Sequence, residues 1–359
     1  MLQHQKAEIA QEIAEKTISY LSIPAVVGYE HIFMAAIEAD FKNLGLQVDR
    51  QDRYVAVSSG DNKQHPIISA HLDRHGLISL GGNEYVYAAQ YIKEIKYGQN
   101  NRLAQKQLED IARRFEGEGV FAYNPDSKEK LGVGVIGVCK PCMEGGDALF
   151  TIDDMPEIAA GIPLAYTRAA VYENDFLKGQ IDNAISLAFV YYLFKSGFKG
   201  TALFTTEEEI GKSWLHIRDY LTTHAIETQN LLILDTSPYT EQSVIDDGNV
   251  IFRKRDMSGE FNVVLVDQLI ERAKSLNIPF QVKDQEMLAK GKTIDQLGST
   301  ELGRLIDGSA GQWNGATVQI PTLMYHTSNE TTTDVAIYNY FSYLKNILID
   351  VPLEQLIKG

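Results

Sequence analysis

The stretch TALFTTEEEIG, residues 201–211, joins an apolar, β-branched run to three adjacent glutamates and a glycine. The apolar run predicts a buried strand, and the residues from Lys212 onward predict a helix. The glutamates therefore lie where a strand gives way to a helix. Open α/β sheets bind their ligands beyond the carboxyl ends of the strands, near a change in strand order. The stretch predicts an α/β fold with functional carboxylates at that edge.

Four other acidic or imidazole residues follow predicted strands in the same way. They are His71 after PIISA, Asp182 after GQI, Asp235 after NLLIL and His326 after VQIPTLMY. Together with Glu209 they supply two imidazoles and three carboxylates, which are the donors that a pair of zinc-like divalent ions needs. Each residue alone has an ordinary explanation, such as a helix cap for Asp182. The ordered set predicts a two-metal hydrolase.

Two further carboxylates lie beside these candidate ligands, and we predict both as catalytic. Glu208 directly precedes Glu209, and adjacent carboxylates point to different sides, so one can bind a metal while the other acts as a base on a water. Asp73 lies two residues after His71, on the same side of an extended strand, where it can accept the second ring N–H. The ordinary explanation of the glutamates is an acidic helix start.

Two other motifs are not expected to bind metal. His75 is four residues from His71, a spacing that joins ligands on a helix, but here a strand precedes the pair and Gly76 follows it. Cys139 and Cys142 form a lone C-x-x-C with no second Cys or His pair nearby. We expect a reduced, incidental pair rather than a zinc site or a redox centre.

The composition is that of an ordinary globular protein. The chain has 359 residues, of which 44% are hydrophobic and 23% charged, and this length is sufficient for two domains. A formal net charge of −15 disfavours nucleic acid and anionic membranes as partners, because both require clustered Lys and Arg. No apolar signal segment or membrane-spanning run is visible, and only two cysteines occur. We therefore expect a cytoplasmic protein.

The order of predicted elements indicates one α/β domain interrupted by a second domain. Helix and strand signals alternate over residues 1–73 and again over residues 168–359, where EFNVVLV is predicted as a strand. Residues 74–167 carry the strand signals EYVYAAQYI, LGVGVIGV and GDALFTID, together with one charged helical stretch at residues 101–119. We predict a discontinuous catalytic domain and a smaller, β-rich inserted domain.

The series AHLD, QIDN, TEEEIG, LLILD and IPTLMYH resembles the M42 family of metallo-aminopeptidases, relatives of the M18 and M20 metallopeptidases. The resemblance implies a mixed-sheet α/β/α metallopeptidase domain that releases N-terminal residues from peptides. It implies two divalent ions per subunit, zinc first and cobalt as the alternative, with Asp182 bridging, Glu208 as general base and Asp73 orienting His71. It also implies a homo-oligomer built from dimers through the inserted domain, up to a dodecamer.

The chain departs from the family pattern at two motifs. Asp182-Asn183-Ala184 stands where the family has Asp-Asn-Arg, and Arg74-His75-Gly76 stands where the family has Glu-Ile-Gly. These departures affect the expected substrate preference and oligomer geometry more than the expected metal site.

The sequence offers several candidates for holding a substrate and does not choose among them. Glu301 is a candidate for holding a free α-amine, and Arg74, Arg168 and Arg304 are candidates for selecting an acidic side chain. Exposed arginines are, however, usually only solvated.

Two alternative functions also stay open. An M20-like deacylase or dipeptidase would use the same metal pair on N-acyl amino acids or dipeptides. An inactive homologue serving as an assembly or binding module would be expected to have lost ligands or the base, and this chain retains all of them.

Overall fold

The computed structural model describes residues 2–60, 66–98, 102–141 and 146–351, so that Cys142 lies outside the described residues. The helices are α1 (Leu2–Leu21), α2 (His31–Asn43), α3 (Ala88–Tyr97), α4 (Gln105–Phe115), α5 (Ala184–Lys195), α6 (Ser213–Thr223), α7 (Gln242–Asp246), α8 (Val263–Ser275), α9 (Lys283–Ala289), α10 (Glu301–Gly308) and α11 (Asp334–Lys345). A 3₁₀ turn covers Ile294–Gln296 and a π-helical turn covers Asn346–Asp350. Among these described helices, none combines the length and the apolar character needed to cross a membrane.

The strands before residue 182 are β1 (Gln47–Arg50), β2 (Tyr54–Ser58), β3 (Ile67–His71), β4 (Leu77–Gly81), β5 (Glu84–Tyr87), β6 (Gly119–Tyr123), β7 (Lys130–Ile136), β8 (Lys140–Pro141), β9 (Ala148–Phe150), β10 (Ile152–Asp153), β11 (Pro163–Tyr166), β12 (Val171–Glu173) and β13 (Phe176–Gly179). The later strands are β14 (Thr201–Thr205), β15 (Leu231–Pro238), β16 (Val250–Phe252), β17 (Phe280–Val282), β18 (Gly315–Thr322) and β19 (Glu330–Thr333).

The main sheet is mixed and has the strand order β1-β2-β14-β3-β15-β18-β16-β17. Strands β14, β3, β15 and β18 run parallel, whereas β2 is antiparallel to β14 and β16 is antiparallel to β18. All residues of β3, β14 and β18 are buried, which is typical of parallel strands that are covered on both faces. The predicted mixed-sheet α/β class is confirmed.

Two groups of helices flank this sheet and bury its apolar side chains. Helices α1, α5 and α11 contact one another, and α6 contacts α10. Helix α5 has almost no polar side, since Ala184 through Val190 are all buried, and it contacts β3 and β15. An all-round apolar helix of this kind is expected only in a protein interior. Its burial fixes the position of the loop that carries Asp182.

A second sheet has the order β10-β7-β6-β11-β4-β5-β9-β8 and is formed by strands between Leu77 and Tyr166. It has its own hydrophobic core, in which Phe115 of α4 packs against Phe150 of β9. Val26 and Val27 from the start of the chain also belong to that core. The division of the chain at residues 74 and 167 stays a prediction. A small third sheet has the order β12-β13-β19.

Two strand predictions were wrong, because a helix begins within each of the two stretches. In EYVYAAQYI, β5 ends at Tyr87 and α3 follows, because Ala88, Ala89 and Ile92 pack into the second core at helical spacing. EFNVVLV contains no strand, because the Asn262 side chain accepts a hydrogen bond from the N–H of Leu265 and caps α8. The helical stretch predicted at residues 101–119 is confirmed as α4.

Cys139 is a buried free cysteine. Burial, reinforced by the nearby Glu116 carboxylate, raises the pKa of its thiol to about 11. A thiol with such a pKa is unreactive near neutral pH. The expectation of a reduced, incidental pair stays a prediction, because Cys142 lies outside the described residues.

Candidate metal centre

The carboxyl ends of three parallel strands meet at one edge of the main sheet. The strand order reverses around β3, because β14 lies on one side of it and β15 on the other. His71 is the last residue of β3 and Glu209 follows β14, whereas Asp235, which was predicted to end its strand, is followed by three more residues of β15. Asp182 precedes α5, and His326 follows β18. The fold therefore gathers the predicted ligands at the position where open α/β sheets bind ligands.

The first group of possible ligand atoms contains His71, Asp182 and Asp235. Nε2 of His71 lies 3.2 Å from Oδ1 of Asp182 and 3.5 Å from Oδ1 of Asp235. One donor atom of each residue lies within 4.8 Å of the other two. The group can therefore offer one nitrogen and two oxygens to a single cation.

The second group contains His75, Glu209 and His326, whose donor atoms also lie within 4.8 Å of one another. Oε2 of Glu209 lies 2.8 Å from Nε2 of His75 and 3.7 Å from Nε2 of His326. Asp182 lies between the groups, because its Oδ2 is 3.4 Å from Nε2 of His326 while its Oδ1 faces His71. All five predicted ligands are thus brought together.

His75 lies among the candidate ligands, although its spacing from His71 on an extended segment did not predict this position. The chain leaves β3 at His71 and pairs again at Arg74, which forms an isolated parallel bridge with Val26. This path turns the fourth residue after His71 back toward Glu209. The spacing of four, which would be informative on a helix, had no such meaning on an extended segment.

The outer nitrogens of the two imidazoles in the second group face different kinds of partner. Nδ1 of His75 is 2.7 Å from the hydroxyl of Tyr87, which can donate or accept a hydrogen bond. Nδ1 of His326 is 3.3 Å from Nη1 of Arg114, which can only donate. The ring proton of neutral His326 therefore lies on Nε2, facing Asp182.

Crowding of buried carboxylates shapes the electrostatics of the centre. Burial raises the pKa of Glu209 well above its usual range, and neighbouring Asp182 raises it further. For Asp182, burial acts in the same upward direction, but contacts with His326 and His71 together outweigh it and hold the pKa below its ordinary value. Burial lowers the pKa of His75 well below its usual range, so this imidazole is neutral.

The polar atoms at the centre fit a divalent cation. Both carboxylate oxygens of Asp182 and Nε2 of His75 are buried and have no hydrogen-bond partner among the described residues. A buried polar atom without a partner costs about 1–3 kcal/mol, and most such atoms in proteins are bonded. Imidazole nitrogens and carboxylate oxygens are ligands that zinc-like ions prefer. The donor set therefore suits metal ions at both groups.

No protein-family model matches the chain, and no curated protein matches it by sequence. Solved structures do match it over nearly its whole length. Aminopeptidase APDkam598 from the archaeon Desulfurococcus kamchatkensis has a TM-score of 0.72 at 14% identity, with 98% of each chain covered. A TET aminopeptidase from a marine sediment Thaumarchaeota archaeon has a TM-score of 0.70 at 15% identity, also with 98% of each chain covered.

The TET1 peptidase of Pyrococcus horikoshii has a TM-score of 0.69 at 14% identity, with 94% of this chain and all of that chain covered. This chain has the fold of the TET aminopeptidases. The resemblance seen in the sequence motifs is thereby confirmed at the level of the fold. Identities of this size show the fold alone, because one fold can support different functions.

The three glutamates after β14 have three different environments in this TET fold. The carboxylate of Glu207 is buried and accepts hydrogen bonds from Arg53, Lys96 and Tyr97, and it lies 3.1 Å from Nε2 of His216. Burial by itself would raise the pKa of Glu207, but these contacts outweigh burial and hold the pKa well below its ordinary value. Glu207 is thus fully engaged in structure, which leaves Glu208 and Glu209 for the centre.

Glu208 lines a cavity of about 410 Å³ together with Asp235, His326 and Arg304. Oε1 of Glu208 accepts a hydrogen bond of 3.0 Å from Nη1 of Arg304. Burial raises the pKa of Glu208 to about 8, and the charge of Arg304 opposes that rise only in part. A carboxyl beside the ligands with a pKa near neutrality suits proton transfer.

Asp73 contacts both His71 and the glutamate loop that follows β14. Nδ1 of His71 lies 3.1 Å from the main-chain carbonyl of Asp73 and 3.8 Å from its carboxylate Oδ1. The carboxylate accepts hydrogen bonds from the N–H groups of Glu208 at 2.9 Å and Glu209 at 3.0 Å. Asp73 thus holds the ring of His71 mainly through its backbone, and it holds the glutamate loop through its side chain.

Glu330 connects two of the candidate ligand loops, and no pattern in the sequence predicts this position. Its Oε2 accepts a hydrogen bond of 2.8 Å from the N–H of Asp182, and its Oε1 accepts one of 2.5 Å from the N–H of His326. It is fully buried at the start of β19. No motif marks it, because ETTT reads as an ordinary strand and its partners are distant in sequence.

The candidates for holding a substrate have different surroundings. Arg304 lines the cavity, whereas the guanidinium of Arg74 donates to the carbonyl of Ile23, and Arg168 pairs with Glu118 at 3.4 Å. These two arginines therefore do not line the cavity beside the centre.

Glu301 is also occupied elsewhere. It is buried, and its two carboxylate oxygens accept hydrogen bonds from Ser69 at 3.1 Å and Thr205 at 2.9 Å. Because both oxygens are bonded within the fold, Glu301 holds β3 and β14 to α10 rather than offering a site for an α-amine.

Proposed function

We propose that this chain is a two-metal aminopeptidase that releases N-terminal residues from peptides. The observation that carries the proposal is the position of Asp182, whose two buried oxygens face two separate groups of ligand atoms, with Oδ1 3.2 Å from Nε2 of His71 and Oδ2 3.4 Å from Nε2 of His326. A carboxylate in this position can bridge two cations and offset their repulsion. The choice of reaction is supported by the structures that share the fold, two of which are aminopeptidases.

One cation would be held by His71, Asp182 and Asp235, and the other by Asp182, Glu209 and His326. Zinc is the proposed metal and cobalt the alternative. When bound, such a pair supplies an activated water and polarises the scissile carbonyl. Nε2 of His326 must lose its proton to bind, so metal loading should release protons.

Glu208 is proposed as the general base. It lines the same cavity as Asp235 and His326, and Arg304 fixes its Oε1 at 3.0 Å. With Oε1 so held, Oε2 is the oxygen that would take a proton from the attacking water and return it to the leaving amine. Asp73 is proposed as a positioning residue, since it holds His71 and the backbone of Glu208.

The cavity beside the centre supports a preference for acidic substrate side chains. Arg253, Lys283 and Arg304 line it, and in the described residues neither Arg253 nor Lys283 has a carboxylate within ion-pair distance. Arg253 donates to Gln319 and to the carbonyl of Leu297 instead. A carboxylate on the substrate could therefore pair with Arg253, and with Lys283 in its charged form, without displacing a carboxylate of the protein from an ion pair.

We further propose that the chain assembles into a homo-oligomer built from dimers through the inserted domain predicted at residues 74–167. Leu131, Val133 and Val135 alternate along β7 and are 38%, 52% and 46% exposed. Alternate residues share one face of a strand, so they form an apolar patch of the kind that marks interaction sites. The TET1 peptidase of Pyrococcus horikoshii, which shares the fold, forms a dodecamer and can assemble into a tetrahedron or a large octahedral shell.

Metal analysis combined with a choice of substrates tests the proposed function. Purified protein should contain or take up two divalent ions per chain, lose activity with a chelator, and regain it with zinc. It should cleave peptides with a free N-terminus and leave N-acetylated ones intact. Cleavage of only the acetylated substrates would instead indicate an M20-like deacylase. Protein that contains no metal and whose activity is unchanged by a chelator would refute the proposal of a metal-dependent hydrolase. The cytoplasmic setting stays a prediction.

A further inference from the structure

We propose that His75 is a sixth metal ligand and completes the second cation site together with Glu209, His326 and Asp182. This inference rests on the two-metal function proposed above, and it adds a residue that the family pattern does not supply at this position. Nε2 of His75 is 2.8 Å from Oε2 of Glu209, and both atoms lie within 4.8 Å of a donor atom of His326.

The direction of the His75 ring distinguishes a ligand from a hydrogen-bond donor. Nε2 is close enough to Oε2 of Glu209 for a hydrogen bond, yet it has no hydrogen-bond partner among the described residues. The in-plane direction of this nitrogen therefore misses the oxygen and passes beside it. A cation placed beside both atoms would be bound by the nitrogen lone pair and the carboxylate together.

The partner of the other ring nitrogen supports the same role. Nδ1 of His75 is 2.7 Å from the Tyr87 hydroxyl, which can accept the ring N–H and leave the lone pair on Nε2. Metal-binding histidines commonly donate their outer N–H in this way, which fixes the tautomer. His326 faces the donor Arg114 instead, so His75 is the imidazole of this group that is already arranged for binding.

The two cation sites would then differ in chemistry. The first offers one imidazole and two carboxylates, whereas the second offers two imidazoles, Glu209 and an oxygen of Asp182. Imidazole ligands suit zinc, whereas manganese and magnesium prefer oxygen. The second site should therefore hold zinc more tightly than the first and should exclude manganese.

Zinc X-ray absorption on the intact protein loaded with two zinc ions tests the assignment. The expected result is three imidazoles for each pair of zinc ions, from His71, His75 and His326. The variant H75Q should lower that number to two, because the Gln amide can donate to Glu209 but is a poor zinc ligand. It should also weaken zinc binding at one site by at least about tenfold.

The control is H216Q, since His216 is buried near the same loop but contacts Glu207 and lies outside both ligand groups. It should keep three imidazoles and the wild-type affinity. Two imidazoles per zinc pair in the wild-type protein would overturn the role of His75 and leave the proposed function intact. Failure to bind two zinc ions would overturn both. If H75Q does not fold, the number of imidazoles in the wild-type spectrum still decides whether His75 is a ligand.

Discussion

Oε2 of Glu330 accepts a hydrogen bond of 2.8 Å from the backbone N–H of Asp182. The other oxygen of the same carboxylate accepts from the N–H of His326, so one buried side chain fixes two ligand loops that are far apart in sequence. Glu330 is fully buried, so a backbone N–H left without this acceptor would cost about 1–3 kcal/mol. The spacing of Asp182 and His326 across the centre therefore depends on a residue that belongs to neither group of possible ligand atoms.

The Glu330→Gln variant should disturb this arrangement, because an amide nitrogen would face a backbone N–H and leave one donor unbonded. We expect a loss of about 1–3 kcal/mol in stability and about 10–100-fold in zinc affinity. Chemical unfolding of the metal-free protein and competition with a chelator measure the two effects. Unchanged zinc affinity would remove Glu330 from the centre.

The Glu208→Gln variant should keep both metal ions and lose about three orders of magnitude in kcat. The amide can still accept the hydrogen bond from Arg304, so the fold should be unaffected, but it cannot take a proton. Steady-state kinetics with parallel metal analysis checks this outcome. A variant that binds two metals and turns over at nearly the wild-type rate would exclude Glu208 as the base.

The substrate preference should depend on Lys283. We expect the wild-type protein to cleave a glutamyl p-nitroanilide faster than a leucyl one, and Lys283→Met to lower kcat/KM for the glutamyl substrate by about tenfold or more, which corresponds to about 1.4 kcal/mol. Lys290→Met is the matched control, because Lys290 is exposed and pairs with Glu241. A wild-type preference for leucine would contradict the proposal.

The preference for acidic side chains should also fall as the pH rises. Burial, together with the charge of Arg253, lowers the pKa of Lys283 well below its usual range. Lys283 is therefore charged at low pH and loses its charge at a lower pH than an exposed lysine does. The ratio of glutamyl to leucyl kcat/KM, measured against pH, should decrease toward higher pH in the wild-type protein and become flatter in Lys283→Met.

Assembly should require the exposed face of β7. We expect Val135→Lys to shift the protein toward smaller species in sedimentation velocity, because a charge placed in a buried apolar contact is costly. Val264→Lys is the control, since Val264 is 63% exposed on α8 and lies outside this patch. An unaltered oligomer, or a wild-type monomer, would count against the proposed interface.

The strand-end residues could be predicted because they depend on local patterns. Buried runs such as PIISAH and NLLILD identify parallel strands, whose carboxyl ends must lie at one edge of the sheet. This rule places His71, Glu209 and Asp235 near one another without knowledge of the loops. The order of the motifs then adds Asp182 and His326.

Only the tertiary structure decided the contacts between segments that no local pattern connects. His75 reaches Glu209 because the chain bridges Val26 after β3, and its partner Tyr87 comes from the second sheet. Glu330 enters from β19, far along the chain from Asp182. Hydrophobic periodicity indicates which face of a helix or strand is buried, because buried positions recur with the repeat of that helix or strand. A single polar contact between distant loops does not repeat, so it becomes visible only when the chain is folded.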